Sequence, residues 1–176
     1  MKKRWEKSRR VFLKLTGVTT LLGFTRSGSV IANAEGPRFL EDGLTVTDTT
    51  TGLIWEKKVQ SDTSDWHKEP HSLNAACTWG EAKGEWTDRL NADRFAGFSD
   101  WRLPSVHELV SIVDYDTPKP PALDPVFGPV VSAFYWTGTP LGFRPGLAWN
   151  IFFLDGVVFV DGIGNKNRVR AVRKLS

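Results

Sequence analysis

Four groups of residues have types and spacing that could carry chemistry. Arg168 and Arg170 alternate along a β-rich run, with Lys166 and Arg173 beside them. Arginine presents a planar fork that grips sulfate or carboxylate with two hydrogen bonds, so these two residues are a candidate anion-binding strip. The alternative is that they pair with local acids such as Asp155 or Asp161, or stack on Trp. Asp114, Asp116 and Asp124 surround a proline-rich segment. Loop carboxylates can hold calcium, which takes oxygen ligands, although this spacing matches no defined calcium motif and Asp is common in turns. Trp66 lies in a polar stretch, where an exposed indole could stack on a sugar ring. His67, His71 and Cys77 lie in or beside that stretch, but nothing in their spacing imposes a base on the thiol, as a cysteine nucleophile requires.

These groups must be held by a folded domain, and one stretch organises it: Gly97-Phe98-Ser99-Asp100-Trp101-Arg102-Leu103-Pro104-Ser105-Val106-His107-Glu108-Leu109. Pro104 fixes its own φ and keeps Leu103 extended. Ser105 followed three residues later by Glu108 is a capping box that starts a helix. Val106, Leu109, Val110 and Val113 then recur at helical spacing. Trp101, Arg102, Leu103, Pro104, Ser105 and Glu108 thus read as a structural hub. Arg102 is expected to pair with Asp100 or Asp114.

Elsewhere, Thr45–Asp48 and Gly52–Glu56 read as a hairpin, and residues 59–76 as an exposed polar loop. Thr78 and Glu81 form a second capping box, with Trp79, Ala82, Trp86 and Leu90 on one helical face ending near Asn91. Gly80 and Gly84 weaken that helix by roughly 1 kcal/mol each, so packing must hold it. Residues 117–129 hold five prolines and predict no regular structure. The last third is β: residues 133–139, then a hairpin turning at Asp155-Gly156, then a closing strand over residues 168–173. Strands, two helices, then strands define an α+β domain. Trp55, Trp79, Trp86, Trp101 and Trp136 are the expected core.

Residues 1–34 read differently from the rest. Ser8-Arg9-Arg10-Val11-Phe12-Leu13-Lys14 matches a twin-arginine export motif, followed by a weakly apolar run and small residues at Ala32-Asn33-Ala34. The expectation is a cleaved signal handled by the twin-arginine translocase, with a single domain over 35–176 in the periplasm or outside the cell. The apolar run is too short for a membrane span, so no span is expected after cleavage. Eight of the 23 basic and one of the 20 acidic side chains lie in residues 1–34; the remaining 15 and 19 leave a net charge of −4. The basic pI therefore belongs to the export segment and gives no ground for nucleic-acid binding. A single cysteine allows no intrachain disulfide, and the scattered histidines give no zinc spacing.

Taken in order, Thr45-Val46-Thr47-Asp48-Thr49, Thr51-Gly52-Leu53-Ile54-Trp55, Thr78-Trp79, Trp101-Arg102-Leu103-Pro104, Tyr135-Trp136 and Val169-Arg170-Ala171-Val172-Arg173 resemble a bacterial family of unknown function. That family is typified by the C-terminal domain of the Legionella collagen-like adhesin, and the likeness covers residues 38–174. The resemblance implies a C-type-lectin-like fold, two short helices packed on antiparallel sheets and hairpins, related distantly to sulfatase-modifying enzymes. For the adhesin it implies trimerisation and binding of sulfated glycosaminoglycans. Many relatives carry cysteines where Trp86 and Ala171 stand here, and the expectation is that this large and small pair fills the same space. The collagen-like stalk is absent, so no oligomeric state is carried over. The expected function is an exported, non-catalytic binding domain with no resident cofactor, recognising a glycan or other envelope or surface ligand. The alternatives are a cofactor- or metal-containing periplasmic enzyme and a structural subunit of a surface complex.

Overall fold

A computed structural model describes residues 36–175. The twin-arginine motif and the cleavage site expected near Ala34 lie outside those residues. The described chain is α+β, with two sheets. Strands β1 (Phe39–Asp42), β2 (Thr45–Asp48), β3 (Leu53–Glu56) and β9 (Val172–Lys174) form one antiparallel sheet in that order. The second sheet runs β4 (Ala76–Cys77), β8 (Asn167–Arg168), β5 (Phe134–Pro140), β6 (Leu147–Phe152) and β7 (Val157–Gly162). Its β5–β8 pair is parallel and the others are antiparallel.

Both expected helices form, each from its capping box. Thr78 accepts from the Glu81 amide while the Glu81 carboxylate receives the Thr78 N–H, opening α1 (Trp79–Glu81). A π-helical segment, Ala82–Trp86, follows and leads into α2 (Thr87–Ala92). The wider turn spans Gly84 and delivers Trp86 fully buried, with its indole N–H on the Pro70 carbonyl at 3.1 Å. Helix α3 (Val106–Ser111) ends before Val113, and its buried face is Leu109 with Ile112 just beyond the end.

The hub is held from four sides. Trp101 is 2 % exposed, and Asn91 brackets its backbone through Oδ1 (2.7 Å) and Nδ2 (3.0 Å). The Trp101 indole donates to the Phe95 carbonyl. Arg102 exchanges main-chain bonds with Val172 of β9, tying the hub to the first sheet. The Pro104 carbonyl accepts from Gly138 of β5, tying it to the second. Arg102 does not pair with Asp100 or Asp114 as expected. Its guanidinium meets Glu108 in a fork of 2.7 and 2.8 Å, because the helix start that Pro104 sets brings that carboxylate round to face it. Asp100 goes instead to Arg173 at 2.7 Å.

Three further expectations change. Residues 59–76 are a loop, but a packed one: Trp66, Leu73 and Ala75 are buried, and Val59 pairs with Ser72. Residues 168–173 are two strands, since the chain crosses from the second sheet to the first between Arg168 and Val172. The proline-rich segment contains one 3-10 turn, Pro125–Phe127, capped by Asp124. Two apolar clusters fill the interior. One gathers Trp66, Trp86, Trp101, Trp136 and Ala171, so Trp86 and Ala171 share a core; the other gathers Trp55, Leu109, Phe127, Tyr135 and Ile151. Gly156 closes the β6–β7 turn at φ +78, and a Cβ there would clash with Val113 Cγ1. That close approach seats the hairpin on the end of α3.

The Arg102 hydrogen bonds, working against partial burial and aided by the Ser105 amide, hold the Glu108 carboxyl at about 2, below its ordinary 4.5. A depressed carboxyl contributes stability above pH 4.5 that is lost as pH falls toward 2. Glu108→Gln should lower unfolding free energy at pH 7 by about 1–2 kcal/mol, after allowance for screening at the half-exposed Arg102. It should also flatten the loss between pH 4.5 and 2 relative to wild type, measured by urea midpoints across that window.

Candidate functional site

The sequence-derived candidates are placed as follows. Trp66 is 6 % exposed and stacked on His67 at 3.8 Å, inside the first core cluster. It is not a sugar platform. The hydroxyls and carboxylates of its loop bond their own backbone (Ser61 with Thr63, Thr63 with Asp65, Asp65 with His67), which lets the segment fold inward. Arg168 and Arg170 do not form a strip. Arg168 is half-buried and reaches Asn74 at 3.4 Å. Arg170 is fully buried and donates to the Glu56 and Phe127 carbonyls. The alternation fails because residues 169–171 cross between sheets rather than lie in one strand.

Asp114, Asp116 and Asp124 serve turns. Asp114 accepts from the Asp116 amide and Asp124 from Val126, and among the described residues no His, Cys, Asp and Glu side chains gather as a metal site. Cys77 is buried, and burial pushes its thiol up to about 12. A thiol so protonated at neutral pH is a poor nucleophile.

The strongest electrostatic feature was not legible beforehand. Glu56, at the end of β3, is fully buried. Its Oε1 receives Lys58 Nζ at 2.8 Å and His71 Nδ1 at 2.9 Å, and its Oε2 receives the Ala171 N–H at 2.9 Å. Burial would raise this carboxyl, but Lys58 and His71 outweigh it and hold it at about 2. Lys58 is itself buried, with its ammonium over the Trp86 ring at 4.8 Å and its charge opposed by desolvation. Arg170 leaves Nε and Nη2 without a protein partner and rests beside the Phe127 ring. The network is closed from solvent except at His71, so it is an internal clamp rather than a binding surface.

The open feature lies on the second sheet. Leu147 and Trp149 of β6, Val158 and Val160 of β7, and Leu141, Phe143 and Arg144 of the β5–β6 turn line a groove of about 490 Å³. Trp149 is half-buried there and Phe143 is 79 % exposed. The same face of the sheet is covered by α3 further along, where Tyr135 and Ile151 meet Leu109. Helix α3 is six residues long, and none of the residues that line the groove belongs to it. Sequence reasoning missed this groove: Trp149 alternates with buried Ala148 and Asn150, a pattern of burial that only the folded strand shows.

A small α+β domain with a closed ionic core and an open aromatic groove is a non-covalently stapled scaffold that presents one surface. The family model of the Lcl C-terminal domain matches residues 44–173, and the chain belongs to that family. No curated protein matches it. Among the described residues no helix is long and apolar enough to cross a membrane.

Lys58→Met would leave the Glu56 carboxylate buried without its lysine counter-charge, held by His71 and the Ala171 amide alone, at an expected cost of about 3 kcal/mol. Cys77 reports on this. Iodoacetamide should label native protein only through opening of the core, and Lys58→Met should speed labelling by the factor by which it raises the opening equilibrium, so that the logarithm of the rate follows the lost stability.

Proposed function

We propose that this chain is an exported, non-catalytic binding domain, and that the groove around Trp149 takes a glycan or another component of a cell envelope or surface. The groove carries this reading. Sugar C–H faces stack on aromatic rings, and Trp149 and Phe143 supply such faces beside the exposed Arg144, whose guanidinium donates to hydroxyls or carboxylates. Family membership supports an adhesin-like surface role. The buried, protonated Cys77 lends nothing to a catalytic reading.

Screening the purified chain on a glycan array and on isolated envelope fractions tests the proposal. Binding is expected, with Trp149→Ala or Phe143→Ala weakening it at least about tenfold, the scale of one lost stacking contact. Trp66→Phe, a change inside the core, should leave affinity within about twofold. Binding that survives both groove variants, or no binding to any glycan or envelope fraction, refutes it.

A further inference from the structure

Among the described residues, the second sheet ends in an edge that lacks the usual protection. Edge strands are normally short, charged, bulged or covered. The described sheets follow this elsewhere. Strand β4 has two residues, β1 carries Glu41 and Asp42, and the free side of β9 is covered by the Arg102–Val172 bridge. Strand β7 is six residues long, reads Val157-Val158-Phe159-Val160-Asp161-Gly162, and pairs with β6 without a register shift. Its one charge, Asp161, is occupied by Asn165 and Asn167.

The ladder fixes which groups point outward. Phe153 N–H donates to Ala133 and Ile163 N–H to Gly146. In an antiparallel ladder that phase turns the backbone of Val157, Phe159 and Asp161 toward β6, and that of Val158 and Val160 away from it. Both faces of the strand are apolar there. Phe159, 45 % exposed, lies edge-on to Phe134, which stacks on Phe152. Val160, 40 % exposed, faces the groove.

We propose that a second copy of this chain occupies this edge. The two β7 strands pair antiparallel about a twofold axis through Phe159, so that Val158 of each copy exchanges main-chain hydrogen bonds with Val160 of the other. This register is self-complementary: valine meets valine on the groove face, Phe159 meets its symmetry mate on the other, and no like charges oppose one another. The exposed apolar side chains on β7 and at its two ends are Leu154, Val157, Phe159, Val160 and Ile163, each 39–45 % exposed. Buried together with the strand backbone, they make an interface at the small end of the specific range, which suits micromolar association. The joined sheet would set two Trp149 grooves side by side across the axis.

Phe159 and its mate form a non-hydrogen-bonded pair, whose Cα separation of about 4.5 Å lies inside the disulfide range. Phe159→Cys in the full chain should therefore cross-link two copies under mild oxidation, whereas Val157→Cys, which faces Asp161 of the second copy, should cross-link at least about tenfold more slowly. Sedimentation of the wild type should show the average mass rising from one chain toward two across low to high micromolar concentration. Val160→Pro removes an outward N–H that no internal bond uses, so it should abolish the dimer while the circular dichroism spectrum is kept. A monomer at every concentration, a trimer, or equal cross-linking at positions 157 and 159 overturns the proposal. The cross-linking result stands even if the proline variant fails to fold.

Discussion

A buried carboxylate with no water to solvate it is the constraint on which this fold rests. Glu56 ends β3 inside the protein, and its charge is tolerable only while three other segments hold their places. Lys58 supplies the opposing charge, His71 brings in the polar loop, and the Ala171 amide brings in the crossing before β9. Removing any one exposes the others to an unsolvated charge, which costs more than a packing defect of similar size. The arrangement takes over the joining role of a covalent bridge in a chain with one cysteine. It also explains why residues 59–76, polar by composition, are drawn against the core instead of left in solvent.

A second set of polar contacts organises the hub. Pro104 stops the extended run, Ser105 starts α3, and the turn of the helix presents Glu108 to Arg102 in a two-pronged pair. The same few residues bond β9 through Arg102 and β5 through Pro104. Local sequence rules therefore become long-range structure here: the extended residues just before the capping box bond both sheets. Trp101, set among these bonds, fills the space that they enclose.

The open groove lies beside the packed part of the same sheet face. Tyr135 and Ile151 are packed against Leu109 of α3, and Leu147, Trp149 and Val160 line the groove, with no α3 residue among its walls. The one charge of β7, Asp161, is held by Asn165 and Asn167. A closed ionic interior beside an uncovered aromatic edge is the polarity expected of a module that presents a surface to a partner.

The sequence alone determined the elements whose causes are local. Both capping boxes, the two hairpins, the Pro104 boundary, the α+β class and the family follow from residues a few positions apart, and all are present. It did not determine which side chains face water. Trp66 and Arg170 look exposed in a polar loop and an alternating run, yet both are buried, since burial depends on segments far away in the chain. Arg102 chose Glu108 over Asp100 for the same reason: orientation at a helix start outweighs nearness in sequence. Tertiary structure alone placed Glu56 among Lys58, His71 and Ala171, and left Trp149 uncovered. A carboxylate's partners and a strand's free face are properties of the packed chain, where desolvation and coverage are decided.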